Sequence, residues 1–411
     1  MTKSNESEFC SFCSSALSQT LIDLGNQPYA NNYLPSKTSK AKLYPLHVKI
    51  CDNCKLVQHM TLIDSSEIFD DYGYFSSYSK HWLDHCEMYA EDICKKLCLT
   101  NDDLVIELAS NDGYMLKNFA SKGINVLGID PAKNVAEVAI RDGIDTVVEY
   151  FGKDVAEKIV KSSDPDLVIA NNVLAHVPDI NDFVSGIEVL LRSGGICTIE
   201  FPHYFNLINE LQFDTIYHEH FSYLSLTAIK NIFEHHKLSV FDVEKISTHG
   251  GSLRTHICHK TNNNYERCKI VDQILAEEEE AGIFETQRIE KFQRKVLRIK
   301  KDFLDFLKRA KEDGKTISCF GAAAKGNTFL NYVSPDFEDI SFVVDDTPYK
   351  QNKFLPGSNI AIVDQAELVN SKPDYVVILP WNHKKEIIDR NQYIHEWGGK
   401  FVLAIPELKI I

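Results

Sequence analysis

Between Leu104 and Glu200 short apolar runs alternate with helical stretches, and this alternation constrains the fold more than any other feature. Leu104-Val-Ile-Glu-Leu108 reads as a strand, Ala109-Ser-Asn-Asp-Gly113 as a tight turn, and Tyr114-Met-Leu-Lys-Asn-Phe119 as a helix. Val126-Leu-Gly-Ile-Asp130, Asp166-Leu-Val-Ile-Ala170 and Gly195-Ile-Cys-Thr-Ile-Glu200 read as further strands. Strands separated by helices pair in parallel and gather ligands at their C-terminal ends, so the expected class is α/β with a Rossmann-like sheet. The pattern returns at Thr316-Ile-Ser-Cys-Phe320, Ser341-Phe-Val-Val-Asp-Asp346 and Tyr375-Val-Val-Ile-Leu379, which predicts a second such sheet. A chain of 411 residues is too long for one ordinary core.

Two acids mark the first unit. Glu107 lies in its first strand, and Asp130, 23 residues on, ends its second, where a ribose-binding carboxylate belongs. The dinucleotide fingerprint G-x-G-x-x-G is missing from the turn, and Ser110-Asn111-Asp112 would crowd a pyrophosphate. S-adenosylmethionine (SAM) has no phosphate. Its ammonium favours an acid such as Glu107, and its ribose favours Asp130. The turn therefore fits SAM better than NAD. The cofactor candidates are Glu107, Ala109, Ser110, Asn111, Asp130 and Pro131, with Asn171 and Asn172 at the end of the next strand. Solvation of strand ends is the competing reading for each acid alone. His176 sits either near the cofactor or at a helix start on the surface.

Cys10-Ser-Phe-Cys13 and Cys51-Asp-Asn-Cys54 are two C-x-x-C turns separated by residues 14–50, in which Leu46-His-Val-Lys-Ile50 reads as a strand. Four thiolates suit tetrahedral Zn²⁺ and close its coordination, so the metal is expected to be structural. No thioredoxin-like pattern surrounds either pair, which weakens a redox reading. The other seven of the eleven cysteines are scattered. The polar start Met1–Glu8 and the lack of a long uncharged apolar run predict a cytoplasmic protein with no membrane partner. A formal net charge of −15 argues against nucleic acid as a partner. A monomer or weak oligomer is expected.

The densest chemistry lies in Asp214-Thr-Ile-Tyr-His-Glu-His-Phe-Ser-Tyr-Leu-Ser225. In an extended segment His218 and His220 would share one face, with Tyr217 and Glu219 on the other. The spacing is not the H-E-x-x-H of a zinc protease. An imidazole titrating near neutrality can take a proton from carbon or oxygen, and a nearby carboxylate can orient it. The bland alternative is a polar loop capping a helix that starts near Leu226.

Five segments together resemble the sugar C-methyltransferases that act on nucleotide-linked 4-ketosugars. They are the double C-x-x-C, Glu107-Leu-Ala-Ser-Asn-Asp-Gly113, Phe213-Asp-Thr-Ile-Tyr-His-Glu-His220, Gly250-Gly-Ser-Leu-Arg254, and Gly321-Ala-Ala-Ala-Lys-Gly326 with Lys353-Phe-Leu-Pro-Gly357. The resemblance spans essentially the whole chain, in order. Ala109 stands where that family often has glycine. The resemblance implies a zinc-binding domain (1–70), a SAM-binding methyltransferase domain (71–265) and a Rossmann-like nucleotide-sugar domain (266–411). It implies His220 as base and roles in catalysis for Tyr217 and Glu219, with His218 nearby. It also implies a tyrosine from Tyr72-Gly-Tyr-Phe-Ser-Ser-Tyr-Ser79, Tyr74 first and Tyr72 second. The implied substrate is a dTDP- or other NDP-4-keto-6-deoxysugar, methylated at C3.

In the C-terminal part, Glu277–Ala310 reads as a charged helix with a stripe of Ile289, Phe292, Val296, Ile299, Phe303 and Phe306 for packing. Small residues at the turn after Phe320 allow backbone N–H groups to meet a phosphate. The candidates for holding the substrate are Lys325, Asn327, Arg254, Asp345, Lys350 and Asn382. The rival readings are an NAD-dependent NDP-sugar oxidoreductase or epimerase, opposed by the missing fingerprint, and a zinc-ribbon nucleic-acid-binding protein, opposed by the charge.

Overall fold

The computed structural model describes residues 8–61, 76–78, 80–191, 194–333 and 337–411. The chain opens on an antiparallel meander of β1 (Gln19–Gln27), β2 (Tyr44–Ile50) and β3 (Val57–His59). The C-x-x-C turns precede β1 and link β2 to β3.

The middle of the chain builds β4 (Leu104–Leu108), β5 (Asn125–Ile129), β6 (Thr146–Val147), β7 (Leu167–Asn171) and β8 (Ile196–Pro202), all in parallel register. Every residue of β7 is buried, as a central strand covered on both faces requires. Then comes the short β9 (Ser222–Tyr223), followed by β10 (Leu238–Ile246) and β11 (Ser252–His259). The sheet order is β10-β11-β8-β7-β4-β5-β6, with β11 antiparallel to both neighbours. β9 belongs elsewhere: it pairs with β3 and completes a four-stranded sheet of order β1-β2-β3-β9.

The last part of the chain forms β12 (Ile317–Phe320), β13 (Val343–Val344), β14 (Ile362–Val363), β15 (Tyr375–Ile378), β16 (Lys400–Leu403) and β17 (Lys409–Ile410), in order β14-β13-β12-β15-β16-β17. The expected continuous helix over 277–310 is two helices, Lys269–Glu280 and Thr286–Glu312, separated at Gly282, whose φ of +59° lies in the left-handed region. The six stripe residues are all buried. They share one core with Leu21, Leu46 and Ile50 of the first sheet, with Val377 of the third and with Phe329 of the helix Ala324–Val333. No helix among the described residues is long and apolar enough to cross a membrane.

One lock joins the elements around the middle sheet. Glu278, 1% exposed, accepts from the Leu226 and Thr227 backbone N–H groups at 2.7 and 2.9 Å and from the Thr227 hydroxyl at 2.6 Å. Its other neighbour is His203 Nε2, 2.6 Å away. It therefore caps the helix Leu226–His235, whose Ser225 side chain accepts from the Ala228 N–H.

Candidate active site

In the middle sheet the connections turn opposite ways from β4 to its neighbours β5 and β7, and a ligand crevice opens at such a reversal. Its floor is the turn 109–113. Ala109 and Asn111 hold φ of +57° and +50°, so the turn is left-handed where alanine replaces glycine. Both oxygens of Asp130 accept backbone N–H groups, from Asn111 and Ala132, each at 2.8 Å. Burial raises Asp130 to about 6 against those two bonds. Pro131 lies between these partners. The Asn111 side chain accepts from the Ser76 N–H at 3.0 Å, so the segment preceding the sheet is tied to the turn. Tyr72 and Tyr74 lie outside the described residues.

The crevice gathers buried polar atoms without partners among the described residues: the Ser110 hydroxyl and the amides of Asn171 and Asn172. Glu107, 1% exposed, faces the Tyr114 hydroxyl; burial drives its carboxyl well above the usual range, the Tyr114 hydrogen bond opposing.

His220 stands beside this crevice. Its Nδ1 lies 2.9 Å from the Thr215 carbonyl. A carbonyl only accepts, so Nδ1 carries the hydrogen and Nε2 holds the lone pair. The ring packs on Tyr217 (centroids 4.1 Å apart) and against His176 (4.8 Å). Burial, then His176, pushes the basicity of His220 well below the ordinary imidazole value, with the Thr215 carbonyl opposing. Burial lowers His176 to about 4. His176 ends the short helix Leu174–His176 and is half-buried against the His220 ring.

Two expectations for this segment are corrected. The chain turns rather than extends, with His220 N–H donating to the Tyr217 carbonyl at 2.9 Å, so Tyr217 and His220 meet while His218 points away. His218 is 1% exposed among Tyr29, Tyr44 and His59, with Nε2 3.1 Å from the Pro45 carbonyl, and lies in the first sheet's packing. Glu219 does not orient the His220 ring; it accepts from Asn31 Nδ2 at 2.7 Å, and burial raises it to about 7. The Thr215 carbonyl does the orienting. The segment also ends as the capping alternative expects, with Ser225 capping the helix that starts at Leu226.

The third sheet closes over the same point. At its own reversal between β12 and β15, Lys325 Nζ reaches Asn382 Oδ1 at 2.9 Å and sits 4.9 Å from the Trp381 ring centre. The Trp381 indole N–H donates to Asp214 at 2.7 Å. Burial raises Asp214 to about 6, with Lys325 opposing. Gly250 must be glycine here: φ is +88°, and a Cβ would come within 2.7 Å of Trp381. Asp345 and Lys350 pair at 3.1 Å beside Ala322, whose carbonyl also accepts from the Tyr33 hydroxyl at 2.7 Å. Asn327 is deeper, 1% exposed, beside Asn331. Arg254 does not join this group. Its guanidinium is held by Glu200 (3.0 Å) and Glu244 (3.1 Å) over the Tyr89 ring, because β11 runs inside the middle sheet.

Sequence reasoning missed Asn31, Tyr33, Asp214 and Trp381. Asp214 opens the segment that runs to Ser225, and Trp381 lies two residues beyond the predicted strand ending at Leu379. Asn31 and Tyr33 carried no motif, since their role depends on packing between distant parts of the chain.

The cysteine turns match each other bond for bond. Ser14 N–H and Lys55 N–H return to the Cys10 and Cys51 carbonyls at 3.0 and 2.9 Å, with φ of +58° and +65°. The four Sγ atoms lie within 4.8 Å of one another, a set that fits one tetrahedral zinc.

Three family models cover successive parts of the chain: a "Putative zinc binding domain" (10–69), a methyltransferase domain (88–243) and a C-methyltransferase C-terminal domain (247–406). The C-methyltransferase NovU of Streptomyces niveus is 34% identical over 95% of this chain and 94% of its own length. The chain belongs to this C-methyltransferase family. The ubiquinone biosynthesis O-methyltransferase of Cupriavidus pinatubonensis is 28% identical over 22% of this chain and 38% of its own. A SAM-dependent methyltransferase structure from Clostridium acetobutylicum is 12% identical, covers 42% of this chain and 90% of its own, and has a TM-score of 0.35.

As a C-methyltransferase of this family the protein depends on SAM and carries a zinc-binding domain, which selects the methyltransferase over both rival readings. The crevice suits SAM, since its orphaned amides and buried Glu107 offer a polar cradle free of the glycines that a pyrophosphate needs. One zinc per chain is expected by elemental analysis of freshly purified, reduced protein. Metal-free but folded protein would refute the site.

Proposed function

We propose that the enzyme methylates C3 of an NDP-linked 4-keto-6-deoxysugar, with dTDP or another nucleotide, in branched deoxysugar biosynthesis. The observation that carries this reading is the tautomer favoured at His220, which leaves the lone pair on Nε2 of a ring packed against His176 and Tyr217. A hydrogen beside a ketone is acidic because its removal leaves an enolate with charge largely on oxygen. His220 takes that proton at Nε2. Its neutral form, favoured by burial, suits a base working near neutral pH. The enolate oxygen needs a donor or positive charge, and Tyr217, Tyr74 and Lys325 are the candidates. When bound, SAM would supply an electrophilic methyl, the new C–C bond forming as the S–CH₃ bond breaks and S-adenosylhomocysteine leaves. Glu107, Asp130, Asn171 and Asn172 hold the cofactor. Lys325, Asp345, Lys350 and Asn382 hold the nucleotide-sugar, and the parts divide at 1–70, 71–265 and 266–411.

The test is direct. Purified enzyme with SAM and a dTDP-4-keto-6-deoxysugar should yield a product heavier by one methylene, with the label of methyl-labelled SAM on C3 by NMR. Transfer to oxygen, or to no ketosugar in a panel of nucleotides, refutes the reading. Asp130→Ala should weaken SAM binding by about 1–3 kcal/mol, because the ribose loses its acceptor and the turn loses its bond from the Asn111 N–H. Calorimetry showing unchanged affinity would remove Asp130 from the site.

A further inference from the structure

The zinc turns and His220 are joined by one side chain. Gln58, 4% exposed, lies on β3. Its Nε2 donates to Cys10 Sγ at 3.2 Å, and its Oε1 accepts from the Ser11 N–H at 2.9 Å. Both bonds end on the first cysteine turn. The backbone of the same residue pairs with Ser222, and the adjacent Val57 pairs with Tyr223. The next residue, His59, donates its N–H to the Phe221 carbonyl at 3.2 Å. Three successive residues of β3 therefore fix three successive residues that directly follow His220.

The rest of the zinc unit is anchored independently. Asn181 Nδ2 donates to the Ser11 and Phe12 carbonyls at 3.2 and 2.9 Å, and Asn231 Nδ2 to the Cys54 carbonyl at 3.1 Å. Both asparagines belong to the middle domain's helical layer, at Ile180–Leu190 and Leu226–His235. The cysteine turns are thus clamped to the body that carries SAM, while Gln58 runs from them to the strand that carries the base.

We propose that Gln58 is a positioning residue, through which the zinc site sets the placement of His220. A bound metal fixes the Cys10 thiolate, the thiolate orients the Gln58 amide, and the amide holds β3, hence β9, in register with the cysteine turn. Hydrogen bonds to metal ligands generally tune affinity or activity about 10–100-fold. The link itself stands on geometry; its catalytic consequence rests on the reading of His220 as the base.

Gln58→Glu keeps the acceptor for Ser11 N–H and loses the donor to Cys10. Gln58→Met keeps length and burial and loses both, and serves if the carboxylate prevents folding. Four readouts apply to the full-length protein. Zinc affinity, by competition with a chromophoric chelator, should fall about 10-fold or more. In the cobalt-substituted protein the thiolate-to-metal absorption band should shift. In ¹³Cε1-histidine spectra the His220 signal, assigned by its loss in His220→Asn, should move or broaden, while SAM affinity stays at the wild-type value. The kcat should fall with KM for SAM unchanged. An unmoved His220 signal overturns the proposal, even where zinc affinity falls, because Gln58 would then serve the metal alone. Unchanged zinc affinity overturns it equally. A moved His220 signal together with full activity in His220→Asn supports the link and removes His220 as the base, so the two ideas fail separately.

Discussion

His220→Asn is expected to lower methyl transfer by about 10²–10⁴-fold, the usual cost of losing a general base. The Asn amide keeps a donor for the Thr215 carbonyl, so the turn survives. SAM affinity should change little, because the ring stands beside the cofactor crevice rather than in its turn. The proton step can be watched alone in deuterated water with a non-reactive SAM analogue. Wild-type enzyme should exchange the hydrogen beside the ketone, and the variant should not, after correction for spontaneous exchange. Exchange at the wild-type rate would pass the role to another group. The acid side of the pH profile carries a sign as well. Burial and His176 disfavour the imidazolium, so the His220 ring stays neutral below the ordinary value of about 6.5. The kcat should hold level as pH falls through that value and decline only in more acid solution. A half-maximum at or above 6.5 would place a different group in control.

Glu278→Ala should cost about 3–5 kcal/mol of stability, the range for removing one partner of a buried, hydrogen-bonded charge. The carboxylate serves two backbone donors, one hydroxyl and His203 together. Its loss leaves the Leu226 and Thr227 N–H groups without their acceptor in the buried first turn, since Ser225 serves only Ala228. Glu278→Gln should fall between, since it retains an acceptor. A shift of the denaturant midpoint equivalent to less than about 1 kcal/mol for Glu278→Ala would show that the helix caps itself.

Local patterns were legible in the sequence. The cysteine turns, the strands ending in Glu107 and Asp130, and the stripe from Ile289 to Phe306 each depend on residues a few positions apart. What escaped depends on partners remote in the chain. Glu278 sits in a run of glutamates that reads as solvated helix surface, and only the fold brings His203 and Leu226 to it. Arg254 stood among the candidates for holding the substrate until β8 set Glu200 beside it. The alternation expected across Tyr217–His220 failed because one backbone bond made a turn, which places Tyr217 on His220 and removes His218.

The pairing of β9 with β3 also bears on the order in which this protein can fold. The first sheet is closed by a strand emerging from the ribosome long after β3, roughly ten to thirty seconds at 5–20 residues per second. During that interval the nascent zinc unit has metal and a hydrophobic face but an open edge at β3, a template for pairing with another chain. Such non-local closure is slow, because a long loop must be ordered before the contact rewards it. An N-terminal fragment expressed alone would keep that edge permanently open, so its solubility should depend on whether the segment around Ser222 is supplied with it.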